Sequence, residues 1–497
     1  MNKTMVVLPE DLKEIVIALK EAGGHCLLAG GGVIDHTLGL DIKDWDIEVY
    51  SLTYQQVLDV LSTFGTPGLV GKAFGVVKLR KNHVEYDFSI PRRDNHIGKG
   101  HKGFAIDLLP DLTPEEASRR RDITINSMYL DLHTFEIIDP HGGLEDLQTG
   151  RIRATDPETF IEDPLRVFRI MQLLPRKGKF VDPATIELCR TMVDEFDSLP
   201  GERIYEEFKK LLLKSAKPSM GLQFLVDCRW IVKFPELNAM RGCQQNPLYH
   251  PEGDVWTHTL MALDNAAFLL HHVPANWKLG YLFGVLCHDI GKPETTDPIT
   301  FTSYGHENIG RAIANRFLKR MTTQKDIIDQ TNAIVYAHMR PGALYKANST
   351  KGAWRRLHNT VPLQVIAWVT QADGTARTGR DVNDPVEELE AIHAYASEFG
   401  KSRIGPVLLG RHLLARGHKP GPAFKKLLDA AFQYQLDTGC MDIEELYRIA
   451  TIATTEGTEN TETKETKETT KNTEGTETTE TAETKGTTEN TEGAEKK

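Results

Sequence analysis

The 497-residue sequence has little of what marks a secreted or membrane protein. Its six cysteines, at positions 26, 189, 228, 243, 287 and 440, include no CxxC pair, which excludes a dense disulfide scaffold and suits a reducing compartment. No apolar run approaches the roughly 20 residues of a membrane-spanning helix, and the N-terminal stretch MNKTMVVLPEDLKEIV has no signal-peptide core. The expectation is a cytoplasmic protein with no membrane partner. From Thr454 onward apolar side chains almost vanish, and glutamate recurs at every third position from Glu456 to Glu468 and from Glu474 to Glu483. A period of three fits neither helix nor strand, so residues 454–497 are expected to be disordered. That tail carries 12 Glu and 6 Lys, which supplies −6 of the net charge of −11. The rest is only mildly acidic, and that argues against broad non-specific nucleic-acid binding.

The remaining text divides by pattern into an α+β organisation. Residues 1–154 alternate between helical and strand-like stretches: DLKEIVIALKEAG reads as a helix, HCLLAGGG as a buried strand entering a turn, and DWDIEVYSL, GVVKLRK and HVEYDFSI as strands. This predicts a mixed-sheet head with helices. Residues 155–240 read as a helical neck, 246–395 as a helical domain and 396–450 as a helical C-terminal segment.

Two stretches carry chemistry. In the strand-like DWDIE, residues two apart share a face, so Asp44, Asp46 and Glu48 stand opposite Trp45, Ile47 and Val49. Carboxylates spaced this way suit Mg²⁺, which takes oxygen ligands and substrate phosphates, and Asp87 of VEYDF is the candidate third. Gly30 and Gly31, just upstream, allow backbone N–H groups to approach phosphates without Cβ interference. In the helical domain, His288 and Asp289 lie at the end of an apolar helix, with His258, His306, His338 and Asp373 on separate segments. Mixed imidazole and carboxylate donors suit a transition metal such as Ni²⁺, Mn²⁺ or Co²⁺ and the activation of water for phosphoester hydrolysis.

Five motifs in one order then resemble the class II nucleotidyltransferases, which comprise the tRNA CCA-adding enzymes and bacterial poly(A) polymerases. They are GGGVIDHTLGLDIKDWDI, RRDITINSM, DPHGGLEDLQTGRIR, FIEDPLRVFRIMQ and GERIYEEFKKLL. The resemblance implies that Asp44 and Asp46 bind catalytic Mg²⁺ and that Gly30 and Gly31 approach the triphosphate. It assigns Arg121, Asp122 and Asn126 to ribose and phosphates. Asp163, Arg166 and Arg169, spaced for one helical face, are assigned to the edge of the incoming base. The order His258, His288–Asp289, Asp373 resembles the HD-domain phosphohydrolases, with His306 and His338 similar to the extra ligands of binuclear members. The implied activity is addition of CCA to tRNA from CTP and ATP, with 2′,3′-cyclic phosphodiesterase or phosphatase activity in the second domain; DNA is not an expected partner. Alternatives are a poly(A) polymerase or A-adding enzyme, an RNA-binding protein with an impaired head, and an HD phosphohydrolase using the head only to bind substrate. One position departs from the family: Ile34 stands where an arginine usually precedes the aspartate of the glycine motif, which predicts a missing triphosphate contact unless Lys43 or Lys72 compensates.

Overall fold

In the computed structural model the described residues are 8–68, 75–96 and 104–453; Lys72 and the tail from 454 lie outside them. The first helix, Glu10–Glu21, buries Leu12, Ile15, Val16 and Leu19 along one stripe and stops at Gly23, whose φ of +95° a side chain would strain. Six strands form the mixed sheet of the head: β1 (His25–Ala29), β2 (Trp45–Tyr50), β3 (Val76–Lys81), β4 (Val84–Ser89), β7 (Tyr129–Asp131) and β8 (Ile137–Ile138), in the order β3-β4-β2-β1-β7-β8. A separate hairpin pairs β5 (Arg92–His96) with β6 (Phe104–Leu108). β1 lies antiparallel to β2, whereas β2 and β4 run parallel, in a register that sets Asp46 directly beside Asp87. Trp45, Ile47 and Val49 are buried, as the alternation of DWDIEV predicts, and so are Tyr86 and Phe88 of β4.

The neck is helical. Leu165–Lys177 packs on Gly201–Lys214 and on Ser219–Asp227. Its core is aromatic: Phe168 meets Trp230 at 5.4 Å and Phe208 meets Phe234 at 5.4 Å between ring centroids. The cluster runs on into the following domain, where Phe317 of helix His306–Lys319 lies 6.2 Å from Phe234. Tyr205 stacks on Phe283 of the apolar helix Lys278–Cys287. Around that helix stand Val255–Leu269, Lys325–Ala337 and Leu363–Gly374.

Contacts divide the described residues into two compact units, one within 8–349 together with 357–402 and the other 350–356 together with 403–453. In the second unit, helices Gly410–Ala415 and Pro422–Thr438 close over Leu408, Leu413, Leu427 and Leu446. Among the described residues no helix is long and apolar enough to cross a membrane.

Candidate active sites

A turn, a strand and a helix converge on the first site. Gly30 has φ +68° at the entry to the short helix Gly31–Thr37, and a Cβ there would stand 3.7 Å from an Asp46 carboxylate oxygen and 3.8 Å from an Arg121 guanidinium nitrogen. At Gly31 a Cβ would meet nothing within 4 Å, so the turn is open on that side. Asp46 is exposed at the start of β2, and Asp44 is exposed just before the strand. Desolvation, with Asp87 next to it and Asp44 nearby, holds the Asp46 carboxyl above its usual range against the pull of Arg121. One oxygen of Asp87 accepts from Lys78 Nζ at 3.0 Å; the other is buried without a hydrogen-bond partner. Neighbouring carboxylates, one with an unused oxygen, are a donor set that a hard cation fits. The oxygens of Asp44, Asp46 and Asp87 do not, however, form one of the tight three-ligand sets found among the described residues, which all lie in the second domain.

Glu48 departs from the exposed role its position suggests. It is 1 % exposed and accepts from Arg120 at 2.7 Å and from the Tyr50 hydroxyl at 3.0 Å, with Arg121 at 3.5 Å. Burial alone would raise its carboxyl, but the two arginines outweigh burial and hold it below the usual range. It therefore orients the two arginines rather than facing solvent. Asp122 accepts from its neighbour's backbone N–H and from Asn126 Nδ2, both at 2.9 Å, and pairs with Arg169 Nε at 2.8 Å. Arg166 is nearly buried, and its guanidinium donates to the carbonyls of Thr159 and Arg120. Asp163 accepts from the N–H of Leu165 at 3.1 Å.

These elements enclose a cleft of about 350 Å³. Gly30, Gly31, Asp46, Arg121, Asp122, Asn126, Asp163, Arg166 and Arg169 line it, so nine positions from three separate motifs meet at one surface. Asp44 and Asp87 do not line it. Arg92, at the start of β5, and Arg120 do. Motif reading missed both: Arg92 belongs to no quoted motif, and Arg120 opens one without an assigned role. Ile34, at the departure from the glycine motif, is 1 % exposed and packs in the core, while Asp35 beside it pairs with Lys177 at 2.8 Å.

The second site is buried. Asp289 sits at its centre: one oxygen lies 3.3 Å from His288 Nε2 and 3.9 Å from His258 Nε2, the other 3.3 Å from His306 Nε2 and 3.7 Å from His338 Nε2. Asp373 closes the first side, 2.9 Å from His258 Nε2 and 3.7 Å from His288 Nε2. All six residues expected from the sequence are thus brought together, in two groups sharing Asp289. Each imidazole is held by its other nitrogen. Nδ1 of His288, His306 and His338 meets the carbonyls of Val285, Ser303 and Val335 at 2.7, 2.7 and 2.8 Å, and Nδ1 of His258 meets Glu252 at 2.8 Å and the carbonyl of Ala376 at 3.1 Å. A carbonyl only accepts, so Nδ1 carries a proton in each ring and Nε2 is the atom turned inward; in His258 that Nε2 lies 2.9 Å from the Asp373 carboxylate, which only accepts, so there it carries a proton that a metal would displace. His288 Nε2 has no hydrogen-bond partner although it is buried. Burial opposes charge on His258, but Asp373 and Glu252 outweigh it and push it up to about 9; burial and the neighbouring His288 push His338 down to about 3. Inward Nε2 atoms around carboxylates fit divalent transition metals. Glu252, which also bonds His250 at 2.8 Å, was not anticipated; HPEGD precedes His258 in the sequence without a spacing that marks it.

Comparisons with known proteins follow the same division. Residues 26–153 match the poly A polymerase head domain, residues 180–240 the probable RNA and SrmB-binding site of polymerase A, and residues 255–374 the HD domain. The fold is similar to that of the Bacillus stearothermophilus CCA-adding enzyme in complex with CTP, at 19 % identity and a TM-score of 0.63, covering 91 % of this chain and 100 % of that one. It is also similar to the Thermotoga maritima CCA-adding enzyme complexed with tRNA_CCA, at 17 % identity and a TM-score of 0.54 over 90 % of this chain and 96 % of that one. A CCA-adding enzyme with ATP gives 18 % identity and 0.59 over 90 % and 95 %. At such identities the likeness is one of fold. With its poly(A) polymerase head, its polymerase RNA-binding segment and its HD domain in this order, the chain has the organisation of the class II nucleotidyltransferase family.

Proposed function

We propose that the protein is a tRNA nucleotidyltransferase that adds the 3′-terminal CCA from CTP and ATP, with a second, metal-dependent phosphohydrolase centre in the HD domain. The observation that carries the first part is the arginine-walled cleft, which joins the glycine turn and Asp46 to Asp163 and Arg169 of the neck. A triphosphate set on Gly30 and Gly31 would place its base toward the neck, where side chains rather than a template strand meet the base edge. The tRNA 3′-hydroxyl attacks the α-phosphorus; the new O–P bond forms as the bond to pyrophosphate breaks. Mg²⁺ held by Asp44, Asp46 and Asp87 would supply charge neutralisation and in-line alignment. Arg92 and Arg121, which line the cleft with the glycine turn, would meet the polyphosphate charge. That similar folds are described with CTP, with ATP and with tRNA supports this choice of substrates.

For the second centre the carrying observation is the set of four imidazoles with Nδ1 tied and Nε2 turned toward Asp289. A divalent metal there would supply an activated water for attack on a phosphoester such as a 2′,3′-cyclic phosphate. The six cysteines are all free, which supports a cytoplasmic setting.

Purified full-length protein, tRNA ending before CCA, and labelled CTP or ATP supplied separately test the first part. Incorporation of CTP supports CCA addition. ATP incorporation alone selects an A-adding enzyme or poly(A) polymerase, and no incorporation selects an RNA-binding role or an HD phosphohydrolase with a substrate-binding head.

A further inference from the structure

The cleft beside the HD centre carries polar groups that the metal-ligand set does not use. It holds about 740 Å³, within the range of small-molecule sites. Three side-chain atoms on its wall are buried and unpartnered: Arg377 Nε, Thr370 Oγ1 and Gln245 Nε2. Thr370 precedes Asp373 by one helical turn, and Arg377 lies just beyond the end of the same helix. Lys292 donates to Gln245 Oε1 at 2.8 Å, which commits that end of the amide and leaves Nε2 as the free end. The same Lys292 ammonium reaches Asp289 at 2.7 Å, so this wall adjoins the metal-ligand set. Among the described residues no carboxylate pairs with Arg377.

A buried donor without an acceptor costs roughly 1–3 kcal/mol, so three on one wall call for a common acceptor. The oxygens of a phosphate ester are charged acceptors of the kind these three donors lack. At the cleft lining, Tyr304 is 87 % exposed and Tyr249 58 %, which leaves flat aromatic faces open to a base. Resting on the phosphohydrolase reading above, we propose that Arg377, Thr370 and Gln245 form a phosphate subsite for a nucleoside phosphate ester whose base stacks on Tyr304.

Calorimetric titration of the full-length, Mn²⁺-loaded protein with adenosine 3′-monophosphate and, separately, with inorganic phosphate tests this. Arg377→Gln should weaken both probes by roughly tenfold or more, with bound metal and melting temperature unchanged, and Arg377→Lys should recover part of the loss. Tyr304→Ala should weaken only the nucleotide, by roughly fivefold or more. Nucleotide addition by the head should stay at the wild-type level in all three. Thr370→Val, close in shape, carries the same expectation as Arg377→Gln at smaller size and decides the matter if Arg377→Gln loses metal or unfolds. Unchanged binding in Arg377→Gln and Thr370→Val, or no binding of either probe to wild type, overturns the subsite. Arg377-dependent binding in a protein that hydrolyses no phosphoester with Ni²⁺, Co²⁺ or Mn²⁺ leaves the subsite standing and removes the phosphohydrolase. Hydrolysis of 2′,3′-cyclic AMP with an unchanged KM in Arg377→Gln does the reverse.

Discussion

Asp46 and Asp87 are neighbours because β2 and β4 run parallel in one register. The Asp87 carboxylate raises the cost of charging Asp46, and a cation between them would relieve it. Replacing Asp46 or Asp87 with Asn should therefore cut nucleotide addition by roughly 10²-fold or more while leaving the fold intact, since a metal's charge stabilisation is worth several kcal/mol. Addition of labelled CTP and a thermal melt check both halves. Ile34 makes a contrasting case. Read from the family pattern, it is a lost phosphate contact, and Ile34→Arg looks like a repair. The side chain is 1 % exposed in the core, so an arginine there has no water and no carboxylate prepared for it. The expected outcome is destabilisation of more than about 3 kcal/mol by denaturant unfolding, with no fall in nucleotide KM. The position of each aspartate was legible because strand alternation is a two-residue rule. The fate of Glu48 was not, because its partners Arg120 and Arg121 stand more than seventy residues away and turn an outward position into a buried ion pair.

At the scale of elements, the helix Leu165–Lys177 presents Arg166 and Arg169 at the cleft, as the three-residue spacing suggests, while Asp163 reaches it from just before the helix. Spacing says which face a side chain is on, not whether it is already engaged. Arg166 is engaged: it ties the helix to the carbonyls of Thr159 and Arg120, and so to the segment that carries Arg121 and Asp122. Arg166→Ala takes these donors from the carbonyls of Thr159 and Arg120 and loosens that junction. It should lower kcat/KM for CTP and ATP by similar factors and lower the melting temperature, rather than change the ratio between nucleotides. A shifted CTP-to-ATP ratio with unchanged stability would instead assign Arg166 to the base. In the HD domain the helix ends do the positioning. His288 and His338 follow their helices directly and bond the carbonyls of Val285 and Val335 three residues back, so the backbone itself aims both rings. His258 lies within its helix and relies on Glu252 from the preceding loop. Glu252→Ala should weaken metal binding by roughly 10–100-fold, measured by competition with a chelator, while the other three histidines keep their orientation. That these six His and Asp residues could form one cluster was legible from their types, whereas Glu252 reaches His258 through one hydrogen bond that no short motif encodes.

Across the whole molecule the two candidate sites use separate side chains but share one scaffold. The cleft of the head draws on residues up to Arg169, and the histidine–carboxylate cluster of the HD domain draws on residues from His250 onward. Asp289→Ala should therefore abolish metal-dependent hydrolysis of 2′,3′-cyclic AMP and leave CTP and ATP addition near wild type, with Asp46→Asn giving the reverse pattern. The neck belongs to both halves, since Phe234 and Phe208 meet Phe317, Tyr205 stacks on Phe283, and Arg320 pairs with Glu236 at 2.6 Å. The tightest point of this junction is Gly201, where a Cβ would stand 2.2 Å from the Arg320 carbonyl oxygen, a backbone atom that cannot swing aside. Gly201→Ala must shift the helix Gly201–Lys214 against the HD domain, and overpacking of this kind costs roughly 1–3 kcal/mol. Unlike either aspartate change, it should lower the melting temperature and reduce both activities together, because the same helix packs on Leu165–Lys177 on its other side. If Gly201→Ala is stable and silences only one activity, the neck does not couple the two halves. If Asp289→Ala, still folded, also loses nucleotide addition, the sites communicate through ligands rather than through packing, and the separation argued from their distinct residues fails.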